Sequence, residues 1–188
     1  MSADLGKQIF IDLSIGYQEI IVTEPCQIFG VFIGRGSTEI TSTLDIVHAK
    51  PHLTSVTSVK AILFDQSNFN FTGNLIIKKG AKHTDTYLKA QVLMMSSEAK
   101  ATAVPSLEIM ENDVKGGHGA TVGQLDREAL FYLTSRGLAH AQAQELLLQG
   151  FLREITDKLT DPTHKALAAG HLQQLQLALQ LELEHNHG

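Results

Sequence analysis

From Glu19 to Gly123 the chain is a series of short β-branched runs in which apolar and polar positions alternate, punctuated by Gly, Asn, Asp and Ser. No 3.6-residue period persists through this half, so it reads as all-β. In GNLIIKKG, for example, Leu75 and Ile77 fall on one face and Ile76 and Lys78 on the other. Successive runs begin at Val31, Ile46, Leu63, Ile76, Leu93 and Leu107, about 15 residues apart. A fixed period of this kind is produced by stacked rungs. Period and alternation together predict a mainly β fold, a short right-handed parallel β-helix (a solenoid) with one continuous inner stripe. A small β-sandwich is the competing arrangement, but its strands recur every ~8–12 residues.

After Gly123 the pattern becomes helical. Asp126 is placed to cap REALFYLTSR, and Gly137 stands where a helix end favours a left-handed residue. A second helix is expected from about Ala139 to about Leu159, with Leu148, Leu152, Ile155 and Leu159 forming one apolar stripe. Asp161 and Pro162 mark the cap and first position of a third. Farther on, Leu175, Leu177, Leu179, Leu181 and Leu183 alternate with Gln, Glu and Ala, a period-two signal, and a terminal strand over 174–184 is expected there. The chain thus divides into a β-helix core over residues 1–124 and a small C-terminal α-helical extension over 125–188.

Composition narrows the function classes. At 188 residues, with 43% hydrophobic residues and a mean hydropathy of zero, the chain suits one globular domain, and no apolar run approaches the ~20 residues of a membrane helix. The N-terminal MSADLGKQIF lacks the basic and apolar regions of a secretory signal, which points to the cytoplasm. A net charge of −5, with basic residues scattered along the sequence, argues against a nucleic-acid partner. Cys26 is the only cysteine, so no intrachain disulfide or CxxC site can form, and its apolar neighbours point to a buried thiol.

Among candidate chemical groups, His118 lies in GGHGATVG, where glycines on both sides leave the imidazole open to a partner or ligand. A plain strand-end turn is the alternative reading of the same residues. His48 and His52 in VHAKPH are separated by Pro51, so no helix aligns them, and surface positions on the rungs are expected for both. His83 sits at a turn without Cys, Asp or Glu at ligand spacing, and His185 and His187 belong to a solvated tail. Signatures of P-loop, nucleophile-elbow and dinucleotide-binding enzymes are missing. Paired carboxylates for sugar chemistry need only be close in space, so a β-helical hydrolase or lyase stays open, although eight Phe, three Tyr and no Trp leave few platforms for sugar rings.

One stretch resembles a known family. Leu107, Glu108, Ile109, Asp113, Val114 and Lys115, then the run His118–Gly119–Ala120–Thr121–Val122–Gly123, match LEI-x-x-x-DVK-x-x-HGATVG of SufD-type proteins in the SufB/SufD family. The family's LFYL-x-SRG helix follows here as Phe131, Tyr132, Leu133, Ser135, Arg136 and Gly137. Upstream, VHAKPHLTSVTS and GNLIIKKGAKHTDTY are similar to further family segments, so the resemblance runs from about Val47 to about Leu159. It implies a β-helix core and a non-catalytic scaffold role in SUF-type iron–sulfur cluster assembly. It further implies a transient iron–sulfur cluster near His118 at an interface with a SufB-like subunit or a second copy. A SufC-like ABC ATPase would dock on the C-terminal helices, with Phe131, Tyr132, Leu147 and Phe151 as anchors.

The chain departs from that family in two respects. It lacks the long N-terminal region that precedes the β-helix in typical members, and alignment on Val104 and Pro105 puts Ala99 and Thr102 where SufB-type proteins carry a cysteine and a histidine. A chain without that thiolate needs a partner to supply cluster ligands. A stand-alone homodimeric β-helix interaction module is the alternative, formed through exposed strand edges.

Overall fold

The computed structural model describes residues 6–185, with side chains described as far as residue 181. Among the described residues nine strands precede any helix: β1 (Lys7–Ile11), β2 (Tyr17–Val22), β3 (Cys26–Gly34), β4 (Glu39–His48), β5 (Thr54–Leu63), β6 (Asn68–Ile77), β7 (Asp85–Met94), β8 (Lys100–Ile109) and β9 (Lys115–Gly123). Odd strands form one parallel sheet in the order β1-β3-β5-β7-β9, and even strands form a second in the order β2-β4-β6-β8. The chain crosses between sheets at every corner, giving a solenoid of about four turns. Cys26 lies beside Ser55, Ser55 beside Thr86 and Thr86 beside Gly116, so one turn consumes about 30 residues. The period of about 15 is therefore a half-turn. The runs read from sequence begin late in each strand and continue around the next corner, and the strands themselves begin earlier than Glu19, at Lys7.

Alternation places one set of side chains between the sheets. Ile28, Leu44, Ile46, Ala61, Leu75 and Leu88 are fully buried there. Phe32 of β3 stacks on Phe69 of β6 at 5.0 Å between ring centroids, joining the sheets across the interior.

The outward faces of the two sheets differ. On the odd-strand sheet Phe29, Val31 and Ile62 point outward and, with Phe64, meet Leu148, Leu152, Ile155, Ala168, Leu175 and Ala178 in a second buried cluster. The even-strand sheet carries polar groups outward. Tyr17 donates to Asp45 (3.0 Å), Asn74 donates to Asp45 (2.7 Å) and Ser106 donates to Asn74 (2.5 Å) in a row across four strands.

The helices are α1 (Arg127–Ser135), α2 (His140–Thr156) and α3 (Pro162–His185). Asp126 caps α1 by accepting from the amides of Glu128 and Ala129, and Asp161 does the same for α3 with Thr163 and His164. Gly137 has φ +97°, the left-handed end that the sequence anticipates. The terminal strand over 174–184 does not form, because α3 runs through it to His185. Leu, Gln, Glu and Ala are good helix formers without β-branching, and the helix buries Leu175, Ala178 and Leu179 while leaving Leu177 exposed.

Candidate functional site

Sequence alternation and register together place His118. In β9 it pairs with Leu88, an interior residue, so it belongs to the inner row of the solenoid. β9 is the outermost strand of its sheet and β8 that of the other, so no further rung covers this row. His118 is consequently exposed, in the open end of the solenoid. Ile109, Met110 and Val122 around that end are 45%, 52% and 42% exposed, and the outer edges of β8 and β9 have no strand partner among the described residues.

The neighbouring glycines serve a packing need on the opposite face. Tyr87 of β7 lies over Gly117 and Gly119. A Cβ at Gly117 would come within 2.8 Å of its ring, and one at Gly119 within 3.1 Å of its hydroxyl. The glycines thus admit a tyrosine on the outer face of β9 while His118 stands on the inner one. Among the described residues no group of three or more His, Cys, Asp or Glu is placed to hold a metal ion. His118 offers one imidazole nitrogen at a time, fewer ligands than a cluster or metal needs.

The anchors named from sequence separate into two sets. Phe131 and Tyr132 stand 74% and 57% exposed on α1, a helix with no buried residue, and the Arg136 guanidinium sits 5.3 Å from the Tyr132 ring. On the first half of α2 and the turn before it, Leu138, Gln142, Glu145, Leu146 and Gln149 line a groove of about 390 Å³. Leu146, which the periodicity did not single out, is the exposed leucine of this groove, whereas Leu147 is half-buried.

Phe151 turns toward the sheet. Lys60 on β5 is 2% exposed, lies 4.1 Å from the Phe151 ring, and donates to the Phe151 carbonyl (2.7 Å) and to the Glu154 carboxylate. Lys89 on β7 is 3.4 Å from the same carboxylate. Burial pushes the Lys60 ammonium below its usual range against the opposing pull of Glu154, and the hydrogen bond from Lys60 lowers the Glu154 carboxyl. This clamp fastens α2 to the solenoid. A lysine in the middle of a strand, on the face opposite the core, was the only sequence signal available for it.

The remaining histidines are redistributed. His48 is fully buried rather than on the surface, because it ends β4 in the interior row between Val22 and Ile77. Its Nε2 is 3.0 Å from the Ser55 hydroxyl, itself 2.7 Å from that of Thr86, and desolvation lowers its pKa to about 4. His52 and His83 meet at one corner with ring centroids 4.7 Å apart and the rings tilted by 30°, both in left-handed backbone, and the structure supplies the carboxylate that spacing did not: Asp113 lies 3.1 Å from His83. Cys26 is buried as expected, which pushes its thiol up. His185 ends α3, and His187 lies outside the described residues.

Comparison with known proteins matches residues 20–151 to the SUF system FeS cluster assembly SufBD core domain. An iron-sulfur cluster assembly SufBD family protein of Mycobacterium bovis is 32% identical over 144 residues, covering 72% of this chain and 36% of that protein. The iron-sulfur cluster assembly protein SufD of Escherichia coli is 38% identical over 102 residues (54% of this chain, 24% of that one). Its Bacillus subtilis counterpart is 33% identical over 129 residues (69% and 30%). The chain therefore spans about a third or less of the length of these relatives. No helix among the described residues is long and apolar enough to cross a membrane.

Proposed function

Since the chain belongs to the SufBD core family of the SUF iron–sulfur cluster assembly system, we propose that it acts as a non-catalytic, cytoplasmic scaffold subunit. Its open solenoid end meets a SufB-like subunit or a second copy of itself, and its helices receive a SufC-like ABC ATPase. The observation that carries this reading is the pairing of two uncovered features: an unfinished last turn presenting His118, and a helix directly after it presenting Phe131 and Tyr132 without burying a residue. Strand edges accept another chain by continuing the ladder, and exposed aromatics supply anchors for a partner surface. A nascent cluster is cargo at the first of these, with His118 one ligand and the partner's thiolates the others.

Co-purification with the ATPase of the same organism tests the docking. Truncation at Gly123 would expose the apolar cluster under α2 and α3, so point variants are the suitable instrument. Phe131→Ala/Tyr132→Ala is expected to weaken ATPase binding at least about tenfold with unchanged unfolding behaviour, in the range of aromatic interface anchors. Unimpaired binding by this variant would remove the docking site. For the cargo site, His118→Ala should lower cluster formation in a complex that still assembles; full cluster yield would remove His118 from the proposal.

A further inference from the structure

Lysines spaced along the sequence converge in space at one corner of the solenoid. The turns β4–β5, β6–β7 and β8–β9 stack, held by His52 N donating to Lys82 O (2.8 Å) and His83 N donating to Asp113 O (2.6 Å). This brings Lys50, Lys78, Lys79, Lys82 and Lys115 onto three successive rungs, all exposed, and the scatter seen in the sequence is undone by the 30-residue turn. None of the five has an ion-pair partner among the described residues. Three carboxylates, Asp85, Glu111 and Asp113, share the corner, and the last two are occupied. Glu111 accepts from the Gly80 and Asn112 amides, which with the more distant charge of Lys82 hold it below the usual carboxylate range, and Asp113 pairs with His83.

A positive ridge on a chain of net charge −5 selects a short anionic partner, because a long polyanion would run onto acidic surface. Three rungs span roughly 10 Å, the length of about three extended residues. The corner segments 49–52, 78–83 and 111–115 contain no Arg, Phe, Tyr or Trp, and so, the His52–His83 pair apart, lack the forks and stacking platforms with which proteins read nucleic acids. The adjacent hollow of about 330 Å³ sets Asp85 and Asp113 against Lys115 and His83, so it holds no surplus of positive charge for a small anion. We propose that this corner docks an acidic polypeptide segment, a short Glu/Asp-rich run of a partner protein, independently of the open end and of α1.

The test is fluorescence anisotropy with a labelled, end-blocked hexaglutamate peptide at low ionic strength and at about 0.15 M. The intact chain should bind it, more weakly at the higher salt, and Lys79→Ala/Lys82→Ala should weaken binding at least about fivefold. Lys158→Ala/Lys165→Ala, which removes the same charge elsewhere, should change it less than about twofold. Equal loss in both variants, no binding by the intact chain, or tighter binding of a single-stranded oligothymidylate of equal charge would each overturn the assignment.

Discussion

The two sheets share one backbone rule and differ in what their outward positions carry. On the odd-strand sheet those positions include Phe29, Val31 and Ile62, and two helices cover them; on the even-strand sheet a polar row of Asp45, Asn74 and Ser106 runs beside a narrow apolar one of Ile21, Val47 and Ile76, and no helix among the described residues covers either. Burial of apolar area is the driving term for the first face, while the second exchanges water for a row of surface hydrogen bonds of small net effect. The comparison teaches that the helical region is half of a core whose other half is written in β3 and β5.

That contrast can be broken most severely at the covered face. Leu152→Ala empties a fully buried position between α2 and the sheet and is expected to cost about 3 kcal/mol in urea unfolding. Next in size is an interior effect that neither outward face shares. Burial holds the His48 imidazole neutral down to about 4, against about 6.5 unfolded, so the unfolded chain takes up this proton first on acidification. The stability this provides is complete above about pH 6.5 and lost toward pH 4, by about 3 kcal/mol, and His48→Gln should flatten that slope of the unfolding midpoint.

The clamp of α2 sharpens the comparison further. Glu154→Gln leaves Lys60 charged and buried without its countercharge, facing only the Phe151 carbonyl and ring and a neutral amide, at an expected cost of about 1–2 kcal/mol, whereas Lys60→Met should be close to neutral. A similar loss in both would show that the ion pair, rather than relief of a buried charge, holds the helix. On the uncovered face Ser106→Ala is expected to change stability by about 0.5 kcal/mol or less, and a loss as large as that of Leu152→Ala would end the distinction between the faces.

Much of this was legible in the sequence. Asp126, Gly137 and the Asp161–Pro162 pair announced helix boundaries through local backbone chemistry, and alternation announced the solenoid. Residues whose role depends on stacking were not legible. His48 reads as a surface residue of its rung, yet register sets it in the interior; Lys60 stands on the outward face of β5 and gains its partners only because α2 is laid over it. The leucine alternation after Gln174 misled because residues two apart can also lie on a helix whose apolar contacts decide the matter.

Gln8 of β1 donates its side-chain amide to the carbonyl of Lys158 (2.7 Å) and accepts from the amide of Thr160 (2.8 Å), a link across about 150 residues. During synthesis at roughly 5–20 residues per second, the opening strand therefore waits on the order of 10–30 s before the segment that secures it leaves the ribosome. For that interval Phe29, Val31 and Ile62 have no cover of their own, so the folding of this face is tied to the order in which the chain is made.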